Sequence, residues 1–232
     1  MKQFTYLLVD IGCILVPFLF SFYKPRPFYK EWTYFFPANL IVALFFLIWD
    51  YYFTEIGVWG FNPQYLTGIY LGNLPIEEVL FFICIPYSCV FTWFALEYLL
   101  PANPLKPFQK QISFGLIIIL GGIGITHLNH WYTASAFLLL AVFLIWLVNK
   151  RADLSMDYLA YLVILPFFFA SNGLLTGSFI ESPIVWYNDS ENLSLRMGTI
   201  PVEDTFYGLL LILMNLQLYK WFKSQWSAKN TF

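Results

Sequence analysis

Seven apolar runs, each about as long as a bilayer is thick, leave this chain little choice of fold. They run approximately Phe4–Phe22, Phe35–Phe53, Pro75–Leu99, Ile112–His127, Trp131–Asn149, Met156–Leu175 and Pro201–Trp221. About 20 apolar residues in a helix cross about 30 Å of hydrocarbon. Backbone polar groups in hydrocarbon must be satisfied within their own segment, so the runs predict an all-α membrane protein with seven transmembrane helices. Only 11% of the residues are charged, against about 25% in soluble domains. The shortest run carries Gly115, Gly121, Gly122 and Gly124, which suit close helix packing. No strand precedes these glycines, so they do not form a nucleotide-binding turn. The N-terminus has a signal-like start, but Pro17 and several aromatics interrupt its apolar stretch and no small-x-small cleavage site follows. It is predicted to be a retained first span.

Basic residues orient the spans. Lys24, Arg26, Lys30, Lys106, Lys110, Lys150, Arg151, Lys220, Lys223 and Lys229 fall on one side, and only Lys2 and Arg196 on the other. By the positive-inside rule the N-terminus lies outside and the C-terminus in the cytoplasm. The fourth span is needed for this sorting, since dropping it would divide the basic loops between both faces. A net charge of −2 and the absence of a basic stripe argue against nucleic acid as a partner.

Within this frame one signature occurs twice. Pro75-Ile76-Glu77-Glu78 heads the third span, and Pro201-Val202-Glu203-Asp204 heads the seventh. Both follow a loop containing Val-Trp, at Val58-Trp59 and Val185-Trp186. The chain therefore divides into a first three-helix repeat (1–105), a linking helix (106–130), a second three-helix repeat (131–225) and a tail (226–232). A repeat of three spans would be inverted by direct fusion. The linking helix restores its direction, so the two repeats are predicted to be parallel.

This threading brings polar groups to the outer level: Asp10, Asp50, Asn172, Glu77, Glu78, Glu203 and Asp204. Ionisable groups near the membrane interior are candidates for function. A plainer role is available, because proline and acids both suit the first turn of a helix at a wet interface. Against it stand the repetition of the whole signature and the absence of Lys or Arg between residues 31 and 105. Burial and a like-charged neighbour both favour the protonated form of a carboxyl group. A protonated acid in an aromatic-lined apolar site is suited to protonating an alkene, and ring faces can stabilise the resulting cation. Cys13, Cys84 and Cys89 lie in apolar runs without a paired framework and read as small core residues. His127 and His130 flank a short turn with no third ligand, so no metal site is predicted.

The paired Pro-x-Glu-Glu/Asp signatures, the two three-helix repeats and the linking helix resemble the integral-membrane lycopene cyclase family, in its fused single-chain form. The resemblance covers essentially the whole chain and is most specific at Pro75–Phe82 and Thr199–Tyr207. Asn172 with Leu175-Thr176 also looks like the family's second-half pattern. The resemblance implies a lycopene β-cyclase of carotenoid biosynthesis, an intramolecular lyase or isomerase in a bacterial or archaeal cell membrane. An acid protonates a terminal double bond, the end closes into a six-membered ring and a proton is lost, giving γ-carotene and then β-carotene. It also implies Glu77, Glu78, Glu203 and Asp204 as catalytic acids, with Glu78 and Glu203 favoured as donors. Phe81, Phe82, Phe206 and Tyr207 would line the substrate site, with Asp50, Asn172 and Asp10 as supporting polar groups. The partners implied are a linear carotenoid and membrane lipid. No flavin fingerprint and no DDxxD motif are present, so no cofactor is expected.

Two other classes fit the seven spans. A proton or cation transporter would place acids along a path through the bilayer, whereas these cluster at the ends of the helices. A carotenoid-binding protein without catalysis needs the apolar groove but no donor. A retinal protein is disfavoured, because every lysine falls in a loop or terminus.

Overall fold

The computed structural model describes residues 2–229, with side chains to residue 226. Seven long helices dominate it: α1 (Thr5–Phe20), α2 (Trp32–Glu55), α3 (Ile76–Leu99), α4 (Gln109–Thr126), α5 (Trp131–Asn149), α6 (Ser155–Leu175) and α7 (Val202–Lys229). Among the described residues, the segments carrying α1 to α6 are long and apolar enough to cross a membrane. Pro17, Pro37, Pro86 and Pro166 lie inside helices. Membrane helices tolerate such prolines because neighbouring groups satisfy the freed carbonyls. Of the expected tail, positions up to 229 continue α7, and 230–232 lie outside the described residues.

Short strands interrupt the helical pattern: β1 (Trp59–Phe61), β2 (Tyr70–Leu71), β3 (Leu74–Pro75), β4 (Val185–Tyr187), β5 (Arg196–Met197) and β6 (Ile200–Pro201). β2 pairs with β3 and β5 with β6, as antiparallel hairpins that run straight into α3 and α7. Each hairpin turns on two residues, the first being Gly72 (φ 67°) or Gly198 (φ 68°). A two-residue hairpin of this kind needs the left-handed region at its first position, where glycine carries no steric penalty.

The two halves of the chain carry the same elements. The starts of α1, β1, β2, β3 and α3 recur at the starts of α5, β4, β5, β6 and α7 with a constant displacement of 126 positions. Trp59 therefore corresponds to Val185, so the two Val-Trp pairs align one residue out of register. The compact units of the fold do not follow chain order. The first comprises Met1–Glu55, Asn62–Leu99 and Leu211–Phe232, and the second Ile56–Phe61 and Leu100–Leu210. β1 accordingly packs in the second unit, antiparallel to β4, with Gly60 opposite Trp186.

In the first unit α1 and α2 pack on α3 around Phe28, Phe35, Phe46 and Phe82, all fully buried. The Asn39 amide donates to the Phe82 carbonyl (3.0 Å) and to Asn215 Oδ1 (3.1 Å), which ties α2 to α3 and to the later part of α7. Toward the opposite ends of these helices, Arg26 pairs with Glu97 (2.7 Å) and Lys223 with Glu31 (2.8 Å).

In the second unit α4 packs along α5. Of the four glycines in α4, only Gly124 lies hard against its neighbour: a Cβ there would sit 2.8 Å from the Leu138 side chain, whereas one at Gly122 would meet nothing within 4 Å. Gly124→Ala is expected to cost about 1–3 kcal/mol through overpacking. Gly122→Ala should gain up to about 1 kcal/mol from helix propensity. Thermal unfolding of both variants in detergent checks this. Equal midpoints would show that α4 does not rely on close approach at Gly124.

Candidate active site

The helix heads after the two hairpins are built alike, bond for bond. The backbone N–H of Ile76 donates back to the Ile69 carbonyl (2.9 Å), as that of Val202 does to Leu195 (3.0 Å). Pro75 and Pro201 close the hairpins, and the acids follow in the first helical turn. Glu77 Oε1 accepts from the N–H of Thr67 (2.7 Å), and Glu203 Oε1 accepts from the N–H of Leu193 (2.8 Å). Both side chains are fully buried. The first acid of each pair therefore anchors the backbone of the loop before it.

The second acid of each pair faces a tyrosine. The Tyr6 hydroxyl donates to Glu78 Oε2 (2.5 Å), and the Tyr132 hydroxyl donates to Asp204 Oδ1 (2.5 Å). Tyr6 and Tyr132 are the second residues of α1 and α5, again 126 positions apart. Thus Glu78 corresponds to Asp204, and Glu203 to Glu77.

Beyond this shared frame the two sites differ. In the second unit the Asn172 amide donates to Asp204 Oδ2 (2.7 Å), and so does the Tyr187 hydroxyl (2.9 Å). With Tyr132, three donors converge on two carboxyl oxygens, an arrangement suited to a carboxylate that only accepts. Thr133 Oγ1 adds a bond to Glu203 Oε1 (2.6 Å). Position 61, which corresponds to Tyr187 through β1 and β4, holds Phe61. The first unit instead gathers acids. Asp10, Asp50, Glu77 and Glu78 are all buried, and Tyr6 lies within electrostatic reach of Asp10, Asp50 and Glu78.

Around Asp204 the second unit builds a cluster of four rings. Trp59 meets Tyr132 edge-on at 5.0 Å, Tyr187 at 6.1 Å and Tyr207 at 6.2 Å. Tyr132 stacks on Tyr187 at 5.9 Å and meets Tyr207 at 6.1 Å. Electron-rich ring faces beside a carboxylate form an environment suited to a cation. Phe206 instead packs on Phe137 at 5.2 Å. In the first unit Phe82 is buried against Phe46 (5.8 Å), and the half-buried Phe81 abuts Phe82 (5.5 Å). His127 Nδ1 bonds the Ile123 carbonyl (2.9 Å) at the end of α4, and His130 Nδ1 bonds the Ser190 carbonyl (2.9 Å), which ties the turn between α4 and α5 to the loop after β4.

Sequence reasoning passed over Tyr6, Tyr132, Tyr187 and Trp59. Three tyrosines are hard to single out in a chain with 16 of them, but the constant displacement that relates Glu78 to Asp204 also relates Tyr6 to Tyr132 and could have marked both. Trp59 and Tyr187 become neighbours only through the β1–β4 pairing, which brings together strands far apart in the chain.

Comparison with known proteins agrees with the doubled architecture. The family described as lycopene cyclase matches residues 3–96 and again 129–222, which are the two repeats without the connecting helix. A curated relative, the bifunctional lycopene cyclase/phytoene synthase of Pyrenophora tritici-repentis (strain Pt-1C-BFP), is 30% identical over 103 residues. That alignment covers 44% of this chain and 17% of the relative, so the chain spans only a small part of that protein's length. No solved structure matches significantly. With both halves matched and each carrying the same acid-headed helix, the chain belongs to the lycopene cyclase family.

Proposed function

We propose that this protein is a lycopene β-cyclase of carotenoid biosynthesis that closes the linear ends of its substrate into β-rings by acid chemistry, with no net redox change. One observation carries the reading: the Asp204 carboxyl, with three donors on its oxygens, beside the rings of Trp59, Tyr132, Tyr187 and Tyr207. Protonation of a terminal alkene creates a cation that water would capture. Ring faces, those of Trp59 and Tyr132 buried, and a fixed carboxylate stabilise that cation and limit the access of water. The sorting of basic residues supports α7 as a seventh span, with the C-terminus cytoplasmic and the acid-headed helix ends at the outer face. A linear carotenoid, itself dissolved in the bilayer, is then the substrate, and Glu77, Glu78, Glu203 and Asp204 are the acid machinery.

Expression in a lycopene-accumulating host, followed by chromatography of the pigments, tests this. Ring-containing carotenoids are the expected result. Unchanged lycopene, with the protein verified in the membrane, would sink the catalytic reading and leave a carotenoid-binding or ion-translocating protein.

A further inference from the structure

The buried acids are not equally free to act. Glu77 and Glu203 each accept from a loop N–H, Glu78 accepts from Tyr6, and Asp204 accepts from three donors. Asp10 differs. Its side chain is 1% exposed, yet neither of its carboxyl oxygens has a hydrogen-bond partner. Nor is it alone: Glu78 and Glu77 on α3 are both within its electrostatic reach, as are Tyr6 on its own helix and Cys84 on α3. Glu77 Oε2, in the same cluster, is also buried without a partner. No ion pair of Asp10 with Lys or Arg occurs among the described residues. An isolated carboxylate among other acids in an apolar interior is costly, and keeping its proton removes that cost.

We infer that Asp10 is the acid that starts the reaction: it carries a proton in the resting protein and delivers it to the terminal alkene of the substrate. This rests on the cyclase reading above and assigns its donor. Asp10 lies one turn, about 6 Å, along α1 from Tyr6, on the same face of the helix. That places it deeper along the span than the acid-headed helix end. Its O–H bond breaks as a C–H bond forms on the alkene, and the resulting cation closes the ring through a new C–C bond. A ring C–H bond then breaks, its electron pair completes the ring double bond, and the proton goes to the carboxylate left behind. The protein ends as it began, and nothing is oxidised or reduced.

The second repeat has no counterpart, because position 136, which corresponds to Asp10, is Ala136. With Asp10 as the donor, a substrate with two linear ends is ringed one end at a time, and one-ringed product is expected to appear before two-ringed product.

Infrared spectroscopy of the full-length protein in detergent, together with turnover in lycopene-loaded liposomes, tests the assignment. At neutral pH the wild type should show a protonated-carboxyl C=O band that shifts in D₂O. Asp10→Asn should remove that band and lower ring formation at least about 100-fold, as expected for loss of the essential acid. Asp10→Glu, which keeps the carboxyl, should retain the band and part of the activity, and it also serves if the Asn variant fails to fold. A band unchanged in Asp10→Asn, a wild-type turnover in that variant, or an Asp10→Glu protein as inactive as the Asn variant while folded would overturn the assignment. The band is read without substrate, so it stands or falls separately from the cyclase reading.

Discussion

Asp204→Asn is expected to reduce ring formation by about 10²–10³-fold, the scale on which a preorganised electrostatic group is lost from an active site. The substitution keeps the shape of the side chain but reverses half of its chemistry. Where the carboxylate offers two acceptors, the amide offers one acceptor and one donor group. Tyr132, Tyr187 and Asn172 would then present three donors to a single oxygen and an NH₂. The charge that faces the ring cluster would vanish as well. Tyr187→Phe removes one donor of the three and leaves the ring in place, so a loss of about tenfold is expected, at the scale of one hydrogen bond to a charged group. Pigment chromatography on matched membrane preparations measures both. A Tyr187→Phe protein as inactive as Asp204→Asn would mean that the phenol, and not the carboxylate, carries the chemistry.

Glu78→Gln and Glu77→Ala should fail in different ways. Glu78 accepts from Tyr6, and its amide variant keeps the shape of the side chain, so it is expected to fold normally and to lose about 100-fold or more in turnover. Glu77 is fully buried and holds the Thr67 backbone. Its removal leaves the partly buried Thr67 N–H without its acceptor, at a cost of about 1 kcal/mol, and should loosen the loop that leads into the first hairpin. Glu77→Ala should therefore show a lowered unfolding temperature and greater protease sensitivity near Thr67. Should Glu78→Gln retain full turnover, the second acid of the first pair has no part in the chemistry.

The sequence carried the seven helices well, six of them long and apolar enough to cross a membrane, because hydrocarbon allows so few backbone solutions. Trp131–Asn149 was legible to the residue, and the other helices differ from their apolar runs by a few positions at most, except that α7 extends to Lys229. The hairpins before α3 and α7 were not anticipated. Two-residue strands carry almost no periodicity, and only Gly72 and Gly198 mark their turns. The acid pairs stood out because acids are rare in apolar surroundings. Their partners did not, because tyrosine and tryptophan are ordinary at membrane interfaces. The pairing of Glu78 with Asp204, rather than with Glu203, follows from the bond pattern and from the shared displacement. It was already implied by the aligned Pro-x-Glu-Glu/Asp signatures.

The crossing of chain segments between the compact units has a genetic corollary. β1 lies in the first half of the sequence yet completes a sheet with β4, and the later part of α7 lies in the second half yet contributes Asn215 and Tyr219 to contacts with α2 and its approach. A gene divided between the third and fourth spans would thus encode two polypeptides that each lack a piece supplied by the other. Neither product should mature when made alone, whereas co-translation of both should restore a protease-resistant, pigment-converting membrane protein.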